Sequence, residues 1–305
     1  MSSLPDLSVE FAGLHLKNPI LAASGTFGYG LEFAALFDLN KLGGFVTKGL
    51  SRRPMRGNPP PRLAETPAGM LNSVGLQNIG VDAFIRDKLP QLRRFDTAVI
   101  VNVFGEATED YVEVVRQLEA AEGVSAYELN LSCPNTKCGG MIFGSDPALI
   151  REVTSAVKNI CRRPLWVKLT PNVEDIAPPA QAAAAAGADA ISLINTFIGR
   201  QMPSLDGLPS IPSGRGGLSG PAIHSLALKL IEQAVQAVSI PVIGIGGVIT
   251  GAGAAEFLRA GAAAVEVGTA NFYDPIATVR IVKELESYCR LAGFSAIGEL
   301  RKRLV

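Results

Sequence analysis

Short apolar runs recur along the chain, each bounded by polar or glycine residues and followed by a helical pattern. They cover 18–24, 44–48, 98–103, 126–131, 165–170, 190–194, 241–246 and 263–267. The runs are near-continuous rather than alternating, as expected of strands buried on both faces. Between them, apolar residues fall at helical spacing. Thr108 stands where a cap belongs, ahead of Tyr111, Val112, Val115 and Leu118 on one face. Asp146-Pro147 puts a capping acid before a proline at the first helical position, ahead of Leu149, Ile150, Val153 and Val157. Asp274-Pro275 repeats the device before Val279, Val282, Leu285 and Cys289.

Eight strands alternating with helices match a (β/α)8 TIM barrel. The segment 7–16 has Gly13 near its centre and reads as an N-terminal hairpin closing the bottom of the barrel. An open doubly wound sheet is the runner-up, but the first strand-to-helix turn (22–30) carries no GxGxxG fingerprint. The connections 49–78, 132–145 and 197–220 are far longer than the ~2–6 residues of an ordinary βα turn. All three follow strands, which places them on the C-terminal face, where barrels do chemistry. Their Pro, Gly and Arg content reads as ordered irregular loops. No repeat or low-complexity linker divides the chain, so 1–305 reads as one domain. The alanine run 182–186 reads as the small face of a helix against the sheet.

Composition narrows the function classes. The 305 residues carry 28 basic and 28 acidic side chains, for a formal net charge of zero. That balance argues against nucleic acid or an anionic membrane surface as partner. Hydrophobic residues make up 48% and charged residues 18%. With a mean hydropathy of +0.26, such a chain can bury a large core. No apolar stretch reaches the ~18–20 residues of a membrane span, and 1–10 lacks a signal peptide's apolar core. Four cysteines form no CxxC pair, zinc pattern or iron–sulfur spacing, and only His15 and His224 are histidines. Reduced thiols in a cytoplasmic protein that holds no metal are the expectation.

The informative pattern is what each strand carries at its C-terminal end: Ser24, Lys48, Asn102, Asn130, Lys168, Asn195 with Thr196, Gly246-Gly247 and Gly268-Thr269. One polar strand end is unremarkable. A complete ring with two lysines and three asparagines is a site. Glycines after strands seven and eight suit the usual phosphate site of barrels, where backbone N–H groups and a helix N-terminus meet the anion. Lys168 either snorkels out or faces the barrel mouth. Facing the mouth, it forms a Schiff base or sets positive charge beside a cofactor ring that becomes anionic. Lys48 poses the same choice. The asparagine amides suit a planar heterocycle, and no strand end carries a metal-binding carboxylate cluster.

Cys133 lies just past the fourth strand, and Pro134 after it stops the strand ladder and holds the thiol at the rim. A thiol pKa near ~8.5 suits proton abstraction if nearby cations favour thiolate. Cys161 and Cys289, both assigned to helices, read as small buried hydrophobes, and Cys138 as a bland loop position.

Asn130-Leu131-Ser132-Cys133-Pro134-Asn135 and the KxGGxxFG that begins at Lys137 resemble dihydroorotate dehydrogenase of class 1, subclass B. SGTFGYG at 24–30, TKGLS at 47–51, NSVGLQN at 72–78, INT at 194–196 and GIGG at 244–247 carry the resemblance along essentially the whole chain. It implies a flavin enzyme of pyrimidine synthesis that oxidises dihydroorotate to orotate. In that scheme Cys133 removes the C5 proton while hydride leaves C6 for N5 of FMN. Substrate would be held by Lys48, Asn72, Ser73, Val74, Gly75, Leu76, Asn130, Asn195 and Thr196. FMN would be held by Ser24, Lys48, Gly49, Asn102, Asn130, Lys168, Ile194, Gly220, Gly246, Gly247, Gly268 and Thr269, with Lys168 facing the flavin N1/O2 end.

Subclass decides the electron acceptor. The membrane-linked class has an N-terminal extension and a serine base, unlike this chain. Subclass A enzymes use fumarate as homodimers, and their loop after NLSCPN lacks the KxGG run. In subclass B the acceptor is NAD+, reached through a partner subunit with FAD and an iron–sulfur cluster. The expected assembly is a homodimer within a heterotetramer. Three rivals stand beside this reading, one of them a non-enzymatic scaffold barrel, which the complete polar rim opposes. A flavin-dependent tRNA dihydrouridine synthase needs a basic surface, which zero net charge opposes. A sugar-phosphate lyase or isomerase would use a Lys168 Schiff base and would be colourless.

Overall fold

The computed structural model describes residues 4–131, 144–202 and 211–301. Two short strands come first, β1 (Val9–Phe11) and β2 (Leu14–Leu16). The barrel strands are β3 (Ile20–Ala22), β4 (Gly44–Val46), β7 (Ala98–Val103), β8 (Ala126–Asn130), β9 (Leu165–Lys168), β10 (Ala190–Leu193), β13 (Val242–Ile245) and β14 (Ala264–Val267). They close in that order, with β14 pairing back onto β3 and every neighbour parallel. The expected (β/α)8 barrel is therefore the fold. Each strand lies within the apolar run that forecast it, because burial on both faces removes polar residues from every position.

The barrel strands alternate between two cores. Outward residues such as Phe45, Val101, Leu129, Val167, Ile191 and Val265 pack under the surrounding helices. Inward residues at the N-terminal end form a second cluster of Leu21, Val46, Ile100, Trp166, Ile243 and Ala264. The antiparallel pair β1–β2 closes this end as the hairpin expectation required. Its Phe11 and Leu16 join the second cluster, and Phe11 stacks on Trp166 with ring centroids 5.7 Å apart.

Helix starts follow the local chemistry with two corrections. Asp146 caps the helix Pro147–Lys158 by accepting from the Ala148 N–H at 2.8 Å. Thr250 caps Gly251–Arg259 in the same way through Gly253. Thr108 is not a cap. It is the first residue of the helix Thr108–Glu119, and its hydroxyl donates to Glu152 at 2.7 Å. Asp110 instead reaches back, accepting from the Glu106 and Ala107 N–H groups. The helix after Asp274-Pro275 begins only at Ala277, because Asp274 ends the short helix Ala270–Tyr273 first. In the helix Ala177–Ala185, the buried Ala180, Ala182 and Ala183 carry the close approach to the barrel.

The long connections are where the structure departs most from expectation. Those at 49–78 and 197–220 are not irregular throughout. They supply β5 (Leu63–Thr66), β6 (Gly69–Asn72), β11 (Phe197–Arg200) and β12 (Arg215–Ser219), which form an antiparallel sheet in the order β11-β12-β6-β5. Ala64, Leu71 and Ile211 make a small separate core beneath it. Its composition hid it. Gly216, Gly217 and Gly199 occupy paired positions where side chains would collide, a Cβ on Gly216 meeting the Asn72 carbonyl at 2.4 Å. The third connection, with Cys133 and Cys138, lies largely outside the described residues.

Candidate active site

The interior of the barrel changes character one layer above the Trp166 cluster. Two positions farther along the inward faces stand Asn102 on β7, Glu128 on β8, Lys168 on β9, Ser192 on β10 and Glu266 on β14, all buried. Lys168 Nζ lies 3.5 Å from Glu128 Oε1 and 3.4 Å from Glu266 Oε2. β9 and β14 are not neighbours, so this contact crosses the barrel interior. Glu128 accepts from Asn102 Nδ2 and from the Ser192 hydroxyl, each at 2.7 Å. Asn102 Oδ1 and Glu266 Oε1 are buried without a hydrogen-bond partner.

Electrostatics in this layer are severe. Burial pulls the Lys168 ammonium down, but Glu128 and Glu266 outweigh it and hold the group above its ordinary value. Burial pushes the Glu266 carboxyl well above the usual carboxylate range, and Glu128 adds to the effect against the opposing pull of Lys168. Sequence reasoning missed both glutamates. The available signal was an acid at an inward position of an otherwise apolar strand, as in Ala-Tyr-Glu-Leu-Asn and Ala-Val-Glu-Val.

Above this layer opens a cleft of about 1090 Å3, counting its mouth. Into it the structure brings Ser24, Lys48, Gly49, Asn102, Asn130, Lys168, Ile194, Asn195, Thr196, Gly246, Gly247, Gly268 and Thr269 from the strand ends. The long connections add Asn72, Val74, Gly75, Leu76 and Gly220. Thr26 of the SGTFGYG stretch also lines it, as do Leu63, Met70, Ser219, Ile223 and Phe272, which no sequence signal marked. Ser73 is not in the lining. It is buried, its hydroxyl accepting from Asn58 and contacting Ser213. Cys133 lies outside the described residues.

The antiparallel sheet holds one wall. Asn72, the last residue of β6, donates to the Gly217 carbonyl on β12 at 3.2 Å. Thr196 precedes β11, and Asn172 grips its carbonyl at 3.0 Å. Asn195 reaches Asn130 across the rim at 3.5 Å and accepts from the Thr196 N–H. Gly75 and Leu76 both adopt positive φ, 71° and 57°. Gly75 has no alternative, since a Cβ there would meet Asn58 at 2.7 Å.

A second wall is backbone. Gly246 and Gly247 turn with φ of 137° and 69°, and a Cβ on Gly247 would meet the Gly220 carbonyl at 2.8 Å. His224 contacts the Gly247 carbonyl through Nδ1 at 3.3 Å and Glu256 through Nε2 at 2.8 Å. Its ring stacks on Phe257, which fixes the turn from below. The helix His224–Ala237 starts directly beside this turn, and Thr250 caps the next helix just beyond it. Helix starts and close backbone are what a phosphate requires.

The remaining described cysteines carry no such setting. Cys289 is buried in the helix Ala277–Leu291, and burial pushes its thiol up. Cys161 follows its helix rather than lying on it, and burial pushes its thiol up to about 11. Among the described residues no group of His, Cys, Asp and Glu could hold a metal ion. None of the described helices is long and apolar enough to cross a membrane.

Comparison with known proteins gives one family. Its sequence profile, described as dihydroorotate dehydrogenase, matches residues 6–289. A Solibacter usitatus protein, provisionally named dihydroorotate dehydrogenase A (fumarate), is 57% identical with 97% of each chain covered. The dihydroorotate dehydrogenase B (NAD(+)) catalytic subunit of Geotalea uraniireducens is 52% identical over 99% of both chains. Its counterpart from Alkaliphilus metalliredigens is 50% identical over 98% of this chain and 99% of its own. In fold, the chain superposes on an Eimeria tenella dihydroorotate dehydrogenase, crystallised with ferulenol, with a TM-score of 0.83. The identity there is 24%, with 98% of this chain and 89% of that one covered. The full-length profile match and these relatives, on a barrel whose rim gathers the residues named above, establish that the chain belongs to the dihydroorotate dehydrogenase family.

Proposed function

We propose that this chain oxidises dihydroorotate to orotate with FMN in the rim cleft, as the catalytic subunit of an NAD+-linked enzyme. The observation that carries the reading is the single cleft that gathers two lysines, three strand-end asparagines and two glycine turns in a chain of this family. The residues fit the cofactor. Asn102 Oδ1 is a buried acceptor still lacking a donor, which a heterocycle N–H supplies. Gly49 admits nothing larger beside it, because a Cβ would meet that same oxygen at 2.6 Å. The turns at Gly220, Gly246-Gly247 and Gly268-Thr269 offer close backbone to a phosphate. When bound, FMN supplies the acceptor for the hydride that leaves substrate C6.

The chain's own residues do the rest. Cys133 Sγ takes the C5 proton. Lys48, Asn72, Asn130, Asn195 and Thr196 hold the substrate carboxylate and ring edges, with Val74, Gly75 and Leu76 shaping the wall and Ser73 supporting it through Asn58. Ser24 and Ile194 flank the cofactor. Lys168 holds positive charge where the reduced ring is negative. The test is Cys133→Ala, which abolishes dihydroorotate oxidation and leaves the yellow flavin bound. Loss of flavin from that variant would count against the assignment, and colourless wild-type protein would sink the cofactor.

The acceptor reading rests on the several relatives named as NAD(+) catalytic subunits at about half identity. The absence of a dinucleotide fingerprint and of cluster-ligand spacing in the sequence agrees with it, since electrons bound for NAD+ then need another protein. That partner would carry FAD and an iron–sulfur cluster, in a heterotetramer around a homodimer of this chain in the cytoplasm. The fumarate-linked reading keeps one observation in its favour, the Solibacter relative at 57% identity. Assay of the isolated chain with fumarate, and with NAD+ in the presence and absence of the partner, separates the two. Robust fumarate turnover by the chain alone would overturn the NAD+ reading.

A further inference from the structure

The buried layer beneath the cleft holds one lysine and two glutamates, and their charges do not balance. With all three ionised the layer carries a net negative charge inside a closed barrel. Glu128 and Glu266 are fully buried, and Lys168 is 5% exposed. Water therefore cannot screen the excess. Two carboxylates facing one ammonium in such a place hold a shared proton more cheaply than a second negative charge.

The hydrogen bonds say which carboxyl keeps it. Glu128 is fully engaged: Oε1 accepts from Asn102 and lies against Lys168, and Oε2 accepts from Ser192. Three donors converge on it, the pattern of an ionised acceptor. Glu266 has only Lys168, at 3.4 Å on Oε2, and its Oε1 has no partner. The two strands that pair with β14 place no charge opposite Glu266. β3 and β13, which pair with β14, bring Leu21 and Ile245 opposite it, and across the barrel stand Glu128, Lys168, Ser192 and Asn102. A carboxylate oxygen without a donor is costly when buried, whereas a protonated one becomes a donor itself. Burial, with the charge of Glu128 beside it, raises the Glu266 carboxyl in the same direction.

We propose that Glu266 is held as a neutral carboxylic acid under the cleft, and that its proton is what leaves the Lys168 charge available to the cofactor. Were Glu266 ionised, Lys168 would be more than neutralised from below, and the layer would repel any ring that gains negative charge above it. With Glu266 protonated, the Lys168–Glu128 pair is neutral overall. Its positive end lines the cleft, while its negative end is buried behind it. Glu266 does not line the cleft, so it is a positioning residue acting through Lys168. The inference rests on the reading that FMN occupies the cleft, but the protonation itself can be measured without the flavin.

The experiment pairs infrared difference spectroscopy with flavin potentiometry. In flavin-free wild-type protein near neutral pH, a buried carboxylic-acid carbonyl band is expected, and Glu266→Gln removes it. Glu128→Gln removes it too, because Glu266 then ionises as the sole partner of Lys168. With FMN loaded, Glu266→Gln leaves the ratio of reduced to oxidised flavin at a fixed potential within about twofold of wild type, since a neutral group has replaced a neutral group. The double variant Glu128→Gln/Glu266→Gln favours the reduced flavin by tenfold or more, because a net positive charge is then exposed to it. No carbonyl band in wild type, a band that survives Glu128→Gln, or a tenfold rise in reduced flavin on Glu266→Gln alone would each overturn the proposal. Protein that shows the band but never takes up FMN would leave Glu266 protonated while refuting the cofactor, so the two failures are distinct.

Discussion

At the scale of single residues, most of the rim was readable because strand ends have a fixed place in a barrel. Lys48, Asn102, Asn130, Lys168 and Asn195 each end an apolar run, and parallel strands bring their ends to one face. Lys168 remained ambiguous between snorkelling and facing inward, since a sequence does not say which face a strand position takes. The structure resolves it inward, against Glu128 and Glu266. Those two acids escaped notice because their partners lie 40 and 98 positions away. Lys168→Met should therefore cost more than a lost ligand contact. Removing one member of a buried ionic group typically costs about 3–5 kcal/mol. Urea denaturation should show a loss of that order, and adding Glu128→Gln should recover part of it, as coupled neighbours do.

At the scale of elements, burial on both faces made the eight barrel strands legible, whereas the sheet of β5, β6, β11 and β12 was invisible. Its strands are short and its pairing spans the chain, Asn72 opposite Gly217 for example. Glycines at Gly199, Gly216 and Gly217 read as loop, though close approach of neighbouring backbone and side chains demands them. Helix caps were only half legible: Asp146 acts locally as its position implied, but Thr108 was diverted to Glu152 on another helix. The hairpin β1–β2 was forecast from a glycine and some apolar positions, and its value lies in what it covers. Phe11 is 7% exposed and closes the barrel floor on Trp166. Phe11→Ala should destabilise by about 3–5 kcal/mol, the usual cost of removing a buried aromatic ring. A shift in denaturation midpoint with the flavin site intact is the expected measurement, since the buried ionic layer separates the floor from the cleft.

For the molecule as a whole, the buried layer sets how stability responds to pH. Glu266 is raised in the folded state, so between the ordinary carboxylate value and its folded value the native protein binds more protons than the unfolded chain. Stability therefore falls as pH rises through that interval. Lys168, also raised, contributes stability that is full below its ordinary value and is lost as pH climbs through the folded one, in the same direction. Glu32 runs the other way. Burial pushes it up, but the Tyr29 N–H and Lys88 outweigh this and lower it, so its contribution is present above the ordinary value and lost as acid protonates it. Above the ordinary carboxylate range, the denaturation midpoint of the wild type should fall with rising pH relative to that of Glu266→Gln. A difference between wild type and Glu266→Gln that does not change with pH would contradict the buried-acid assignment.

By itself the chain determined its eight-strand order, the hairpin beneath, the ring of polar strand ends and the resemblance that placed it in a family. These are properties written in local pattern: apolar runs, caps and motifs act over a few residues and keep their meaning wherever the chain folds. Only the tertiary structure decided that Lys168 turns inward and that Glu128 and Glu266 meet it across the barrel. It also decided that two distant loops pair into a sheet walling the cleft, and that Ser73 lies behind that wall. The physical reason is common to all of these. Each depends on what stands opposite a residue once the barrel closes, and closure is a property of eight strands together.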